Sequence, residues 1–341
     1  MAELGGFEAT AIGSLPYRDP QRACELIFHC LPVIPHWPQL PVRDPKEGMV
    51  RQFLEGMPGV VETEEGGFLR PPHEVPGEWE AFYEAWQEGR LEAFAIGQER
   101  AAGLHTFLRL VGEISPPFVK GQVTGPVTMG FSLKDSEGRA AFYDDELREM
   151  IVAHVCMKAR WQQRALKGAA PEAETIIFFD EPALAGYGSV YMNVDREAIL
   201  RALRGAMEGV EGLRGVHVCA NTDWPLILEV GYDIVNFDAY GYLEEFLLWG
   251  EEIKKFLSRG GLIAWGMVPT RADDLGRVEP EELLSALKRG LRSLGEAGVG
   301  EELLHRSLIT PSCGAGSLDE DQAARAYRLL MHLRDSLRGE G

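Results

Sequence analysis

The residues best equipped for chemistry in this sequence are a histidine and two cysteines. His217 and Cys219 stand two apart in GVHVCAN, a run that reads as a β-strand. Alternate residues of a strand point the same way, so both side chains can address one point. Imidazole and thiolate are preferred ligands of zinc. A His-x-Cys pair alone reads as readily as strand packing. Its position at the C-terminal end of a strand, where α/β barrels keep their chemistry, favours a site. Cys313, in ITPSCGAG after the last expected strand, would open onto the same cavity if the barrel closes. Three soft ligands from two strand ends leave a coordination position open, the catalytic rather than the structural arrangement. Asp238, in NFDAYG, could add a carboxylate ligand or a hydrogen-bonding partner for His217. Cys24, Cys30 and Cys156 fall in helical stretches and read as core or surface residues.

Other polar motifs also fall at strand ends. Asp180-Glu181-Pro182 offers a carboxylate pair for acid/base work or for gripping a substrate ammonium; the plain alternative is a turn with Glu181 in solvent. GQVTGPVT (121–128) suits close approach of backbone to a ligand, notably at Gly125, and is equally a turn. Gly13-Ser14-Leu15-Pro16 offers backbone N–H groups and a hydroxyl for a carboxylate. His36-Trp37-Pro38-Gln39 combines an aromatic wall with polar tips.

The elements that must position these residues alternate regularly. Strands are expected over 9–13, 33–36, 118–123, 175–180, 215–219, 233–238, 261–266 and 307–311, because short apolar runs bounded by breakers suit a buried parallel sheet. Helical patterns cover 20–30, 139–167, 195–208, 243–258, 279–297 and 319–337, with Asp195, Glu279-Pro280 and Asp319 at cap or first-turn positions. Eight strands alternating with helices predict an α/β fold, a (β/α)8 TIM-type barrel occupying residues 1–341 as one catalytic domain. The segment from about 40 to 115 is an elaboration between strands 2 and 3, with helices near 78–111 and a hairpin around Gly66-Gly67. A doubly wound open sheet is the rival.

Composition excludes several function classes. The formal charge of -19, without a Lys/Arg-rich run, argues against a nucleic-acid partner. No window approaches ~18 uninterrupted apolar residues, so no membrane span is expected. The opening MAELGGFEAT lacks a basic region followed by an apolar core, which places the chain in the cytoplasm. Five scattered cysteines are expected to be reduced thiols rather than a disulfide framework.

Taken in order, IGSLP, VKGQVTGPVT, DEPAL, HVC and PSCG resemble the C-terminal catalytic barrel of cobalamin-independent methionine synthase. The wider group includes uroporphyrinogen decarboxylase and the zinc-dependent methylcobalamin:coenzyme M methyltransferases. The resemblance implies that His217, Cys219 and Cys313 ligate zinc and that Asp238 takes the place of a glutamate as fourth ligand. It implies that Asp180 binds the amino group of homocysteine and that Ser14, with neighbouring backbone, binds its carboxylate. His36 and Gln39 stand where the family has a second-strand glutamate. Phe131 stands where a tryptophan stacks on the pterin, and WGMVPT lacks the strand-7 histidine.

The expected function is therefore methyl transfer to a thiol, with homocysteine giving methionine as the leading case and coenzyme M behind it. Zinc lowers the thiol pKa so that a thiolate exists at neutral pH. Displacement from methyltetrahydrofolate needs a proton on the leaving nitrogen, whereas cob(I)alamin leaves without one. The missing histidine and tryptophan thus favour a methyl-corrinoid donor, held by a carrier protein. A uroporphyrinogen-decarboxylase-like enzyme would grip carboxylates with arginines, and only Arg18 and Arg22 lie near the first strand. A non-catalytic zinc-binding protein is the other alternative.

Overall fold

The computed structural model describes residues 4–63, 66–189 and 192–339. Its strands are β1 (Glu8–Ala9), β2 (Val60–Thr63), β3 (Gly66–Leu69), β4 (Phe118–Thr124), β5 (Leu133–Lys134), β6 (Glu174–Asp180), β7 (Leu213–Val218), β8 (Ile234–Phe237), β9 (Leu262–Val268) and β10 (Leu308–Pro311). Among the described residues, seven of them form a curled parallel sheet in the order β1-β10-β9-β8-β7-β6-β4. From β4 to β10 the strands of that sheet lie in chain order, with β5 paired elsewhere, and β1 sits beside β10; this is the cyclic order of a barrel, with no reversal. A doubly wound sheet has a switch point where the order reverses, so that rival is excluded.

The expected closed, eight-stranded barrel is not what forms: the architecture is consistent with a TIM-like fold, but the ladder is open between β4 and β1. Residues 33–36 supply no strand. Pro32, Pro35, Pro38 and Pro41 recur at every third position there, and each lacks the N–H that a ladder requires. What remains is two isolated parallel bridges, His36 to Lys120 and Ser14 to Gln39. The segment still touches both sides of the opening. Lys120 N–H donates to Pro35 O at 2.9 Å, and Gln39 N–H donates to Gly13 O at 3.0 Å.

The helices pack outside the sheet because its strands are buried on both faces; every residue of β4 and of β9 is buried. After β6 comes α1 in the order used here, Arg196–Ala206, capped by Asp195, and after β9 comes α2, Pro280–Glu296, opened by a capping box from Glu279 to Glu282. After β10 comes α3, Glu320–Arg338, capped by Asp319. The pattern expected over 139–167 begins later, at Asp145, because Asp144 is the residue that caps it, by accepting from Leu147 N–H. The pattern expected over 243–258 is two helices, Ala239–Leu247 and Gly250–Ser258, broken before Gly250. In the elaboration, the hairpin forms as β2 and β3, antiparallel, and β3 also pairs with β5. The helical stretch near 78–111 is two helices, Pro76–Gln87 and Ala102–Ile114, separated by loops and a short 3-10 turn, Leu91–Phe94.

Candidate metal centre

Parallel register places four polar or small residues in a row across the sheet. Asp180 on β6 pairs with His217 on β7, His217 with Asn236 on β8, and Asn236 with Ala264 on β9. Cys219 follows β7 directly. On the far side, the pairing of β9 with β10 shifts register between Thr310 and Pro311, a bulge that re-aims the chain just before Cys313. The result is that one ligand atom each from His217, Cys219 and Cys313 lie within 4.8 Å of one another. No other such group of histidine, cysteine or acidic side chains is found among the described residues.

His217 is 2% exposed. Its Nδ1 lies 2.5 Å from Asn236 Oδ1, while its Nε2 is buried without a hydrogen-bonding partner. A buried ring nitrogen with no partner is costly unless something occupies the space before it. Two sulfurs close to that orphan, with borderline-soft character, fit zinc by their chemistry. Hydrogen bonding from Cys313 pulls Cys219 down to about 4, and the same contact, with burial, pushes Cys313 up. Burial opposes charge on His217, but the neighbouring Cys219 and Asp180 outweigh it and raise its pKa.

Asp180 adds a second orphan beside the first: its Oδ1 is buried and unpartnered. Burial raises its pKa to about 6, against the pull of His217 and Lys120. Asp238 lies near the trio but is engaged elsewhere, its Oδ1 accepting from Gly241 N–H at 2.8 Å to cap the helix Ala239–Leu247. Burial raises its pKa too. Glu181 is not in solvent. It is fully buried and accepts from Val127 N–H at 3.0 Å and from Thr128 N–H and Oγ1–H at 2.7 Å each. It therefore ties the end of β6 to the helix Pro126–Ser132, and Gly125 is needed there because any Cβ would collide with its carboxylate. Burial pushes Glu181 up to about 7, opposed by those donors.

Ser14 is brought against the turn that carries Cys313. Its Oγ accepts from Gly316 N–H at 3.3 Å, its carbonyl accepts from Ala315 N–H at 2.9 Å, and a Cβ on Gly314 would meet the Ser14 hydroxyl. Gly13 lies against the side chains of Gln39 and Gln122. Gln39 donates to Gln52 Oε1 at 2.8 Å. Two of the expected site residues have partners within the fold. His36 is fully buried, with Nδ1 2.9 Å from Trp37 O and Nε2 2.8 Å from the Tyr327 hydroxyl on α3. Phe131 is half-buried and stacks on Phe142 at 5.2 Å between centroids.

Sequence reasoning overlooked two residues, Asn236 and Lys120. Both are polar residues inside buried strands: Asn236 alone interrupts the apolar IVNF, and Lys120 is the one charged residue of FVKGQV. Lys120 is fully buried; its Nζ donates to Ile12 O at 2.7 Å and Gln122 Oε1 at 3.3 Å, and lies 4.5 Å above the Phe178 ring. Burial lowers its pKa to about 7, against the charge of Asp180.

No family model matches the chain, and no curated protein matches it. Solved structures do. A Listeria monocytogenes protein described as a candidate vitamin-B12-independent methionine synthase aligns over 98% of this chain and 99% of its own, with TM-score 0.56 and 13% identity. A methyltransferase from Methanosarcina mazei aligns over 98% and 93%, also with TM-score 0.56 and 13% identity. A B12-independent methionine synthase from Shewanella sp. W3-18-1, solved with selenomethionine, covers 69% of this chain and 67% of its own at TM-score 0.49 and 20% identity. The chain shares its fold with the first two. Among the described residues, no helix is long and apolar enough to cross a membrane.

Proposed function

We propose that this chain is a zinc-dependent, cytoplasmic methyltransferase that methylates a small thiol, with residues 1–341 acting as one catalytic unit around a TIM-type barrel. The observation that carries the reading is the orphaned Nε2 of His217 facing the two thiols of Cys219 and Cys313. These three residues would hold the metal, with Asp238, whose Oδ1 already caps a helix, beside them rather than among the ligands. Zinc bound there supplies Lewis acidity that favours the thiolate form of a substrate thiol at neutral pH. The fold shared with the Listeria and Methanosarcina proteins is compatible with this chemistry.

The chain's own groups favour a thiol that also bears an ammonium. Asp180 Oδ1 is buried with nothing to accept from, and a substrate ammonium would satisfy it. Ser14 and the glycine-rich turns beside it lie next to Cys313 and would take a carboxylate. Homocysteine has all three groups; coenzyme M has no ammonium. Gly13, Gln39, Gly125 and Asp180 would line the substrate side, and the Phe131 ring the donor side. A methyl-corrinoid donor on a carrier protein is favoured because Phe131 stands in place of the tryptophan, and WGMVPT (265–270) lacks the histidine, of the family the sequence resembles.

X-ray absorption at the zinc edge tests the reading directly. A coordination sphere of nitrogen and two sulfurs that gains a third sulfur on addition of homocysteine is the expected result. A protein offered zinc that holds none overturns it. Turnover with methyltetrahydrofolate and none with methylcobalamin would overturn the donor assignment alone.

A further inference from the structure

We propose that Asn236 is the positioning residue of this site: it fixes the tautomer of His217 and so aims the unprotonated Nε2 at Cys219 and Cys313. The inference rests on the metal reading for its purpose but not for its geometry.

Asn236 is completely buried within β8, whose other residues, Ile234, Val235 and Phe237, are apolar and also buried. An amide in such a place is expensive unless every polar atom is used. All are used. Asn236 Nδ2 donates to Ala264 O at 2.8 Å and to Thr310 Oγ1 at 2.8 Å. The Thr310 hydroxyl sends its own proton to Pro311 O at 2.8 Å, so its oxygen is left to accept. Both Nδ2 protons are thereby committed. Turning the amide over would set Oδ1 against the Ala264 carbonyl, acceptor facing acceptor. The orientation is therefore fixed by a backbone carbonyl that cannot donate.

It follows that Oδ1 faces His217 Nδ1 and that Nδ1 carries the proton. A neutral imidazole protonated at Nδ1 has its lone pair on Nε2, the atom that is buried and unpartnered. The same amide joins four strands: it takes a proton from the ring on β7, and it holds β9 and β10, the strand that leads to Cys313. A carboxylate would be a stronger acceptor for the ring, yet it would place a second oxygen against Ala264 O. The choice of asparagine over aspartate has its physical reason in that contact.

The tautomer can be read in metal-free protein labelled with 15N-histidine, by long-range 1H–15N correlation at alkaline pH where the ring is neutral. The wild type is expected to show His217 protonated at Nδ1 alone. In Asn236→Leu, similar in size but unable to accept, the preference is expected to disappear, and zinc affinity measured by chelator competition to fall about 10–100-fold. Thr310→Val, which leaves the Ala264 carbonyl to orient the amide, should keep the tautomer and change zinc affinity by less than about threefold, a small part of that range. A proton on Nε2 in the wild type overturns the proposal, as does a folded Asn236→Leu with tautomer and zinc affinity unchanged. Should Asn236→Leu not fold, Asn236→Ser is read by the same two criteria. Wild-type protein that shows the Nδ1–H tautomer but binds no zinc would sink the metal reading and leave the role of Asn236 intact.

Discussion

Two histidines near the ends of expected strands meet opposite fates in this molecule. His36 sits in the proline-punctuated segment and spends both ring nitrogens inside the fold, one on Trp37 O and one on the Tyr327 hydroxyl. His217 sits in a regular ladder, spends Nδ1 on Asn236, and leaves Nε2 with no partner beside two thiols. Both are buried. The difference teaches that burial alone does not separate a structural histidine from a candidate ligand, and neither does an unpartnered second nitrogen, which His154 has too; among the described residues only His217 aims that nitrogen at a cluster of other donors.

Removing the candidate ligands should break the comparison most sharply. Cys219→Ser or His217→Ala is expected to lower zinc affinity by more than about 100-fold, beyond the range of indirect effects, while His36→Phe leaves it unchanged. Metal analysis after chelator competition decides this, and zinc retained by Cys219→Ser would contradict the assignment.

The second expected effect concerns acid. Burial lowers His36 to about 3 from an ordinary 6.5, with Lys120 adding to the shift, and burial also lowers His154 to about 3, with Lys158 adding. Below 6.5 the unfolded chain takes up protons that the folded chain refuses. Their neutral burial therefore favours folding fully above that value, and the advantage is lost as pH falls toward about 3. The slope is about 1.4 kcal/mol per pH unit for each histidine. Urea unfolding at mildly acidic and neutral pH should show it, and His36→Phe should remove one histidine's share. An unchanged slope in that variant would place His36 outside the core.

A smaller effect is expected from His36→Phe at neutral pH. It strips the Tyr327 hydroxyl of its partner and should cost about 1–3 kcal/mol in stability by denaturant titration. The smallest is Asp238→Asn. Asparagine caps a helix about as well as aspartate, so stability should move by less than about 0.5 kcal/mol. Zinc affinity should change by less than about tenfold, the low end of an indirect effect. A greater loss would make Asp238 a fourth ligand and enlarge the contrast with His36.

How much of this was legible beforehand differs by residue. The i, i+2 spacing of His217 and Cys219 announced a shared direction, since strand periodicity is a local property. The caps at Asp195, Glu279 and Asp319 were legible for the same reason, because a cap and its helix lie within a few residues. The prolines at 32, 35, 38 and 41 are visible too, yet the apolar content of 33–36 argues locally for the strand that their missing N–H groups prevent. Glu181 was open between a solvated turn and a site. Its true partners, Val127 and Thr128, lie more than fifty residues away in sequence, where no local pattern reaches.

The sequence by itself determined which atoms were available for chemistry, the order of strands and helices, and a net charge of -19. These follow from residue type and short-range periodicity. Only the tertiary structure decided that Cys313 joins His217 and Cys219, that His36 does not, and that the sheet stays open at the proline-rich segment. It also decided which proton His217 carries, because that depends on Ala264 and Thr310 across two further strands. Convergence of distant side chains and satisfaction of buried polar atoms are properties of packing, and packing is written in contacts that sequence spacing does not record.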